Sequence, residues 1–218
     1  MNARSSCGYL RRWLPAISAA VVALAAGSAA SADDDQHFTL ESATFQNGGT
    51  LPLNTISTIA DSNGQNVCTA SGAAGGNQSP QLSWRHAPEG TRSFALVAYD
   101  ITAQFTHWII YNIPAGTTSL PVNAGAPGSS FGVQNENDFF TGIPGYNGPC
   151  PPKTAVPFSH QYEFTVYALD RMLPVVPTFG DFTPAGPEGF YQELIDASRH
   201  GHVLASASIS GFFAAVAN

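Results

Sequence analysis

The chain has 218 residues, with 15 acidic against 8 basic side chains and a formal net charge of −7. Only 11% of residues are charged, while 44% are hydrophobic, with 21 glycines and 16 prolines. The acidic balance argues against nucleic acid and anionic membrane surfaces as main partners. Short β-branched and aromatic runs between Gly- and Pro-rich stretches point instead to a mostly β protein.

Residues 1–32 read as a secretory signal peptide. Arg4, Arg11 and Arg12 form a basic region, Trp13 to Ala26 is an apolar run, and Ala30-Ser31-Ala32 is an A-x-A cleavage signature before Asp33. The apolar run is short of the roughly 20 residues a membrane span needs. Arg11-Arg12 leaves the general secretory and twin-arginine routes both open, and Cys7 precedes the apolar run, so it is no lipid-attachment site. The expectation is a cleaved, exported chain, periplasmic or extracellular, with residues 33–218 forming a single domain. All fifteen acidic residues lie in that part, against Arg85, Arg92, Lys153, Arg171 and Arg199.

Alternating apolar runs predict strands at 93–100, 106–114 and 161–170, with weaker candidates at 38–42, 81–88 and 202–210. Residues 187–199 predict a helix, through the i,i+4 pairs Phe190/Leu194 and Tyr191/Ile195 and a stop at Gly201. Residues 121–152 carry no periodic pattern, and a loop of that length is usually functional or mobile.

Cys68 and Cys150 both sit in Gly-rich segments. In an oxidising compartment such thiols tend to pair, which would pin two loops together; the alternative is two separate thiols.

Three polar residues stand at the ends of apolar stripes. Side chains of equal parity share a face of a strand. His160 shares parity with Tyr162, Phe164 and Val166, and Asp100 with Phe94, Leu96 and Ala98. His107 shares parity with Ile109, Tyr111 and Ile113. Only six residues join Asp100 to His107, so a hairpin would bring them together at one end of a sheet. A carboxylate and two imidazoles on the rim of an apolar core would make a pocket with a polar floor, in which the carboxylate holds an imidazole in one tautomer. Such a pocket suits an anion, especially with loop N–H groups nearby. The bland alternative is that each residue merely hydrogen-bonds at a strand end.

The segments "GGNQSPQLSWRHAPEGTRSFALVAYD", "HWIIYNIPAGTTSLP", "GYNGPCPP", "HQYEFTVYALD" and "LASASISGFF" occur in this order. Together they resemble the phosphatidylethanolamine-binding protein family, in its bacterial branch of Raf-kinase-inhibitor-like proteins. The resemblance implies a large central antiparallel sheet, a smaller second sheet, few helices, and a small pocket for phosphate-like or acetate-like anions at one sheet end. It puts the pocket acid at Asp100, the pocket histidines at His107 and His160, and a tyrosine at Tyr162. It puts the wall at Gly148, Cys150, Pro151 and Pro152. The exported members it resembles support a Cys68–Cys150 bridge. Departures from the family pattern are "DITAQ" over 100–104, Thr106 where an aromatic is usual, Gln161 in place of an arginine, and Cys150 in place of a glycine. The connection to His107 is also shorter, and three extra residues lie between Lys153 and His160.

Weaker signals point elsewhere. "GSSFG" places Ser130 in a G-x-S-x-G pattern, but no buried strand precedes it and no helix follows. His200-x-His202 lacks a local partner that would complete a metal site, and His37 and His86 carry no pattern. The reading is therefore a non-enzymatic, exported binding protein without cofactor or metal. Its ligand would be a phosphate-type or carboxylate anion, a phospholipid head group, or such a group on a partner protein. The alternatives are a small hydrolase or isomerase using an Asp–His pair, and an interaction protein, such as a protease inhibitor, working through the 121–152 loop.

Overall fold

The computed structural model describes residues 37–153, 158–178 and 186–215. The signal peptide expected over 1–32 lies outside the described residues. In chain order the described elements are β1 (Thr39–Glu41), β2 (Gly49–Thr50), a 3-10 turn (Leu53–Thr55), β3 (Leu82–Arg85), β4 (Ser93–Asp100) and β5 (Phe105–Pro114). They continue with β6 (Ser119–Leu120), β7 (Val133–Asn135), β8 (Ser159–Leu169), α1 (Gly186–Arg199) and β9 (Val203–Ala214).

Two sheets result, a three-stranded one in the order β1-β3-β6 and a six-stranded one in the order β2-β9-β8-β4-β5-β7. The expected mostly β architecture of a large and a small sheet is what forms. The large sheet is antiparallel except at one edge, where Gly49 and Thr50 run parallel to Gly211 and Phe212.

The main core lies between the sheets. Leu40, Leu82, Trp84 and Leu120 of the small sheet pack with Phe94, Leu96, Trp108, Phe164 and Val166 of the large one. Each such side chain, fully buried, contributes roughly 1.5–3 kcal/mol. The other face of the large sheet carries Ala95, Val97, Ile109 and Tyr111, covered by Phe190, Leu194 and Ala197 of α1. Phe190 and Leu194 are thus the i,i+4 pair that docks the helix. Ile195 instead stands 48% exposed, and the Tyr191 ring meets Tyr99 edge-on. The helix stops at Gly201, whose φ of 75° suits a residue without a Cβ. The N–H groups of Gly201 and His202 there donate to the carbonyls of Ser198 and Ala197.

The pairing of β4 with β5 is interrupted twice. Ala98 faces Trp108 while Tyr99 faces Thr106, so His107 is an extra residue on β5. Phe94 faces Ile113 while Leu96 faces Ile110, and Asn112 between them takes a left-handed φ of 56°. Each extra residue reverses the alternation of faces. The parity reading of His107 is corrected here. Ile109 and Tyr111 belong to the helix-side core, whereas the bulge turns His107 towards Tyr162, on the face that also carries Trp108.

The 121–152 segment also differs from expectation, since it contains β7, which extends the large sheet beside Ile109 to Tyr111. Three residues with two amides in them are too short and polar to show an alternating pattern. One of those amides is used inside, where Gln134 Oε1 accepts from Trp108 Nε1 at 2.8 Å.

Candidate functional site

Asp100, the last residue of β4, stands opposite both Phe105 of β5 and Tyr162 of β8. The turn between Asp100 and Phe105 is tight, with Gln104 at a left-handed φ of 55°. It returns the Ala103 N–H to Asp100 Oδ1 at 2.8 Å. The second oxygen, Oδ2, accepts from His160 Nδ1–H at 2.7 Å. Both side chains are buried, at 2% and 5% exposure. The carboxylate therefore holds His160 as the Nδ1–H tautomer, and Nε2 is left without a protein partner among the described residues.

His107 is fixed by a different device. Its Nδ1–H donates to the Asn147 carbonyl at 2.7 Å, and the Asn147 N–H returns a bond to the His107 carbonyl at 3.0 Å. Asn147 is itself held by Asn137, which also grips the Gly145 carbonyl. Burial pushes the His107 pKa below the ordinary histidine value. The Asn147 carbonyl, together with the charges of Asp100 and Asp138, opposes that shift without reversing it.

The two imidazoles share one cavity of about 220 Å³ with Asp100 and Tyr162. The His107 ring lies edge-on to Tyr162, with centroids 5.2 Å apart, and the His160 ring stacks on Tyr162 at 6.4 Å. Phe105 and Phe139 close another side, both in ring contact with His107. The Tyr162 hydroxyl is buried and makes no hydrogen bond of normal length and angle among the described residues, although the Asp100 carboxylate lies close enough to act on it as an acceptor. Burial and the Asp100 charge raise its pKa, so it remains a neutral donor.

The remaining wall is Cys150, Pro151 and Pro152. Cys150 is bonded to Cys68, 82 residues earlier, with Cα atoms 4.4 Å apart. The bridge ties this wall to a cysteine wholly buried in the main core. Gly148 does not line the cavity. It lies behind the wall, where an added Cβ would come within 2.1 Å of the Thr55 carbonyl, and its N–H donates to Asn77 Oδ1.

Seven of the eight expected pocket residues therefore meet at one end of the large sheet: Asp100, His107, Cys150, Pro151, Pro152, His160 and Tyr162. Phe105 and Phe139 were not anticipated. Phe105 supplies an aromatic one position before Thr106, and the bulge at His107 is what brings its ring to the imidazole. Gln161 faces away from the cavity and bonds Ser210, so an amide there leaves the polar groups of the pocket untouched.

The other sequence signals lie apart. Ser130 is exposed in a loop that leads into β7, with no helix after it. His200 hydrogen-bonds Asp196 across the last helical turn, and His202 pairs with Asp170 at 3.0 Å. Among the described residues no three His, Cys, Asp or Glu side chains gather as a metal-binding group. His37 and His86 are exposed.

Residues 41–214 match a family model described as phosphatidylethanolamine-binding protein. YbcL of Escherichia coli K12, a UPF0098 protein, is 41% identical over 140 residues, covering 61% of this chain and 72% of its own. YbhB of the same organism is 36% identical over 156 residues, covering 68% of this chain and 89% of its own. The crystal structure of E. coli YbcL, described as a new member of the mammalian PEBP family, superposes with a TM-score of 0.60 at 32% identity. That match covers 81% of this chain and 98% of YbcL. On these matches, and on a fold that among the described residues has two sheets and one α-helix and agrees with them, the chain belongs to the phosphatidylethanolamine-binding protein family.

Proposed function

We propose that this protein is an exported, non-enzymatic binding protein whose cavity takes a small oxyanion. That anion is a phosphate monoester or a carboxylate, free or carried on a phospholipid head group or a partner protein. The observation that carries the reading is the Tyr162 hydroxyl, buried without a well-formed hydrogen bond beside two imidazoles whose Nδ1 atoms are already committed. A buried donor left without an acceptor costs about 1–3 kcal/mol, and an entering oxyanion removes that cost. An oxyanion in the cavity offsets the burial that disfavours protonated His107, so anion binding and protonation of that imidazole support one another.

The Asp100–His160 pair is also the arrangement a general base would use. The described lining supplies no serine, threonine or lysine to act as nucleophile, and Cys150 is held in a disulfide. Binding is therefore favoured over turnover. Export rests on the basic and apolar character of residues 1–32, and N-terminal sequencing of the exported protein is expected to begin at Asp33.

The test is an NMR titration of the purified protein with phosphate, acetate and phosphoethanolamine, following the imidazole signals. Saturable shifts at His107 and His160, lost in His160→Ala, are the expected result. Absence of any shift up to millimolar anion overturns the anion reading. Hydrolysis of a phosphoester during the titration, abolished in His160→Ala, would establish the enzymatic alternative.

A further inference from the structure

A second concavity lies on the opposite face of the same strands, beside α1. It is a groove of about 310 Å³, lined by Val97, Tyr99, Glu163, Thr165, Tyr167 and Tyr191. Strand pairing builds its floor, because Tyr99 stands opposite Glu163 and Val97 opposite Thr165. Tyr191 reaches over from the helix and sets its ring at 84° to Tyr99, with centroids 6.5 Å apart. Its hydroxyl is in hydrogen-bond contact with Thr106 Oγ1 at 3.1 Å, which holds the ring in place.

We propose that this groove binds a small soluble alkylammonium cation, seated against the rings of Tyr99, Tyr167 and Tyr191 with the Glu163 carboxylate as its counter-ion. The face of a tyrosine ring carries negative charge density, and several such faces around one space form a cage for an ammonium group that has shed part of its water. Two walls at right angles and a third ring from β8 supply that enclosure. Glu163 has no Lys or Arg partner among the described residues; its Oε1 accepts only a long 3.4 Å bond from Thr165. Its charge is thus available to a ligand.

The electrostatics favour a cation over a neutral guest. Burial, and after it the Asp138 charge, raises the hydroxyl pKa values of Tyr99 and Tyr191, and burial followed by the Glu163 charge does the same for Tyr167, so the rings stay neutral beside two carboxylates. Beside the groove β9 presents Ser206, Ser208 and Ser210, directly opposite Tyr167, Thr165 and Glu163. That border is polar and hydrogen-bonded, with Ser208 Oγ 2.7 Å from Thr165 Oγ1. A hydroxyl-rich, half-open border suits a dissolved ion and does not suit insertion into lipid.

The test uses tetramethylammonium as probe and tert-butanol as its uncharged counterpart, titrated into the purified full chain with labelled tyrosine followed by NMR. Tetramethylammonium is expected to shift Tyr99, Tyr167 and Tyr191 saturably while leaving the His107 and His160 signals in place. Glu163→Gln, a half-exposed change that leaves the core intact, is expected to weaken binding roughly fivefold, and Tyr191→Leu to abolish it. The proposal is overturned by the lack of saturable tyrosine shifts, by tert-butanol binding as tightly as the cation, or by unchanged affinity in a Glu163→Gln protein of normal melting temperature.

Discussion

Asp100 divides its two carboxylate oxygens between a strand and a turn. One accepts from His160 on β8 at 2.7 Å, and the other from the Ala103 N–H that closes the hairpin to β5. The same group thus orients an imidazole and sets the loop that forms the cavity edge. Asp100→Asn keeps the shape but can satisfy only one of those donors with its single oxygen. A loss of about 1–3 kcal/mol in unfolding free energy is expected, together with roughly tenfold weaker sulfate binding because His160 loses the acceptor that fixes its ring. Denaturant unfolding and calorimetric titration measure the two effects. Tighter sulfate binding in this variant would mean that the carboxylate acts on the anion chiefly by repulsion.

Tyr162 separates stability from binding. Its hydroxyl is buried without a well-formed hydrogen bond, so Tyr162→Phe removes a poorly compensated polar atom while keeping the ring between the two imidazoles. The free protein is expected to gain up to about 1 kcal/mol. Phosphate affinity is expected to fall several-fold, since charge-assisted bonds to an oxyanion contribute about 1.5–3 kcal/mol. A variant that is destabilised and binds phosphate normally would show that the hydroxyl serves the core and not the ligand.

Much of this architecture is legible in the chain because parity is a strong signal wherever a strand is regular. β4 and β8 pair without interruption from Ser93↔Leu169 to Asp100↔Tyr162, and there the alternation of apolar residues correctly put Asp100, His160 and Tyr162 on one face. β5 is different. Its two extra residues, His107 and Asn112, interrupt an apolar run, and only Asn112, of a residue type that tolerates a left-handed φ, carries a local sign of a bulge. Parity therefore assigned His107 to the face of Ile109 and Tyr111. His107 still lines one cavity with Asp100, because the short hairpin keeps both at the same end of the sheet. Phe139 could not be read at all, since its approach to His107 depends on the path of an aperiodic loop. The tyrosine groove escaped for another reason: Tyr99, Glu163, Tyr167 and Tyr191 are far apart in sequence and join only through strand pairing and helix docking.

The Cys68–Cys150 bridge joins a wholly buried residue to the cavity wall across 82 residues. Closing a loop of that length restricts the unfolded chain, and its removal is expected to cost about 2–4 kcal/mol. The double change Cys68→Ala with Cys150→Ala should lower the melting temperature and loosen the Pro151–Pro152 wall. Phosphate binding is then expected to weaken more than stability alone explains, because the wall samples open positions. Differential scanning calorimetry with and without phosphate checks this, and an unchanged ligand-induced shift would restrict the bridge to a stabilising role.

His107 gives the protein a pH dependence whose sign is fixed by burial. Its folded pKa lies below the ordinary value of 6.5, so as pH falls the unfolded chain takes up the proton first. The contribution of neutral His107 to stability is therefore full above the unfolded pKa and is lost as pH falls through the folded one. The slope is at most about 1.4 kcal/mol per pH unit for a single proton. Unfolding free energies measured between neutral and mildly acidic pH should fall accordingly, and His107→Leu should flatten that part of the curve. Sulfate should act in the opposite sense. It carries the same charge throughout this range, so any change in its affinity reports on the protein. An anion in the cavity favours the protonated imidazole, and sulfate should bind more tightly and stabilise more strongly as pH falls. If sulfate binds with the same affinity across the range, His107 is held neutral by its burial in the bound state as well. Recognition would then fall to His160 and Tyr162.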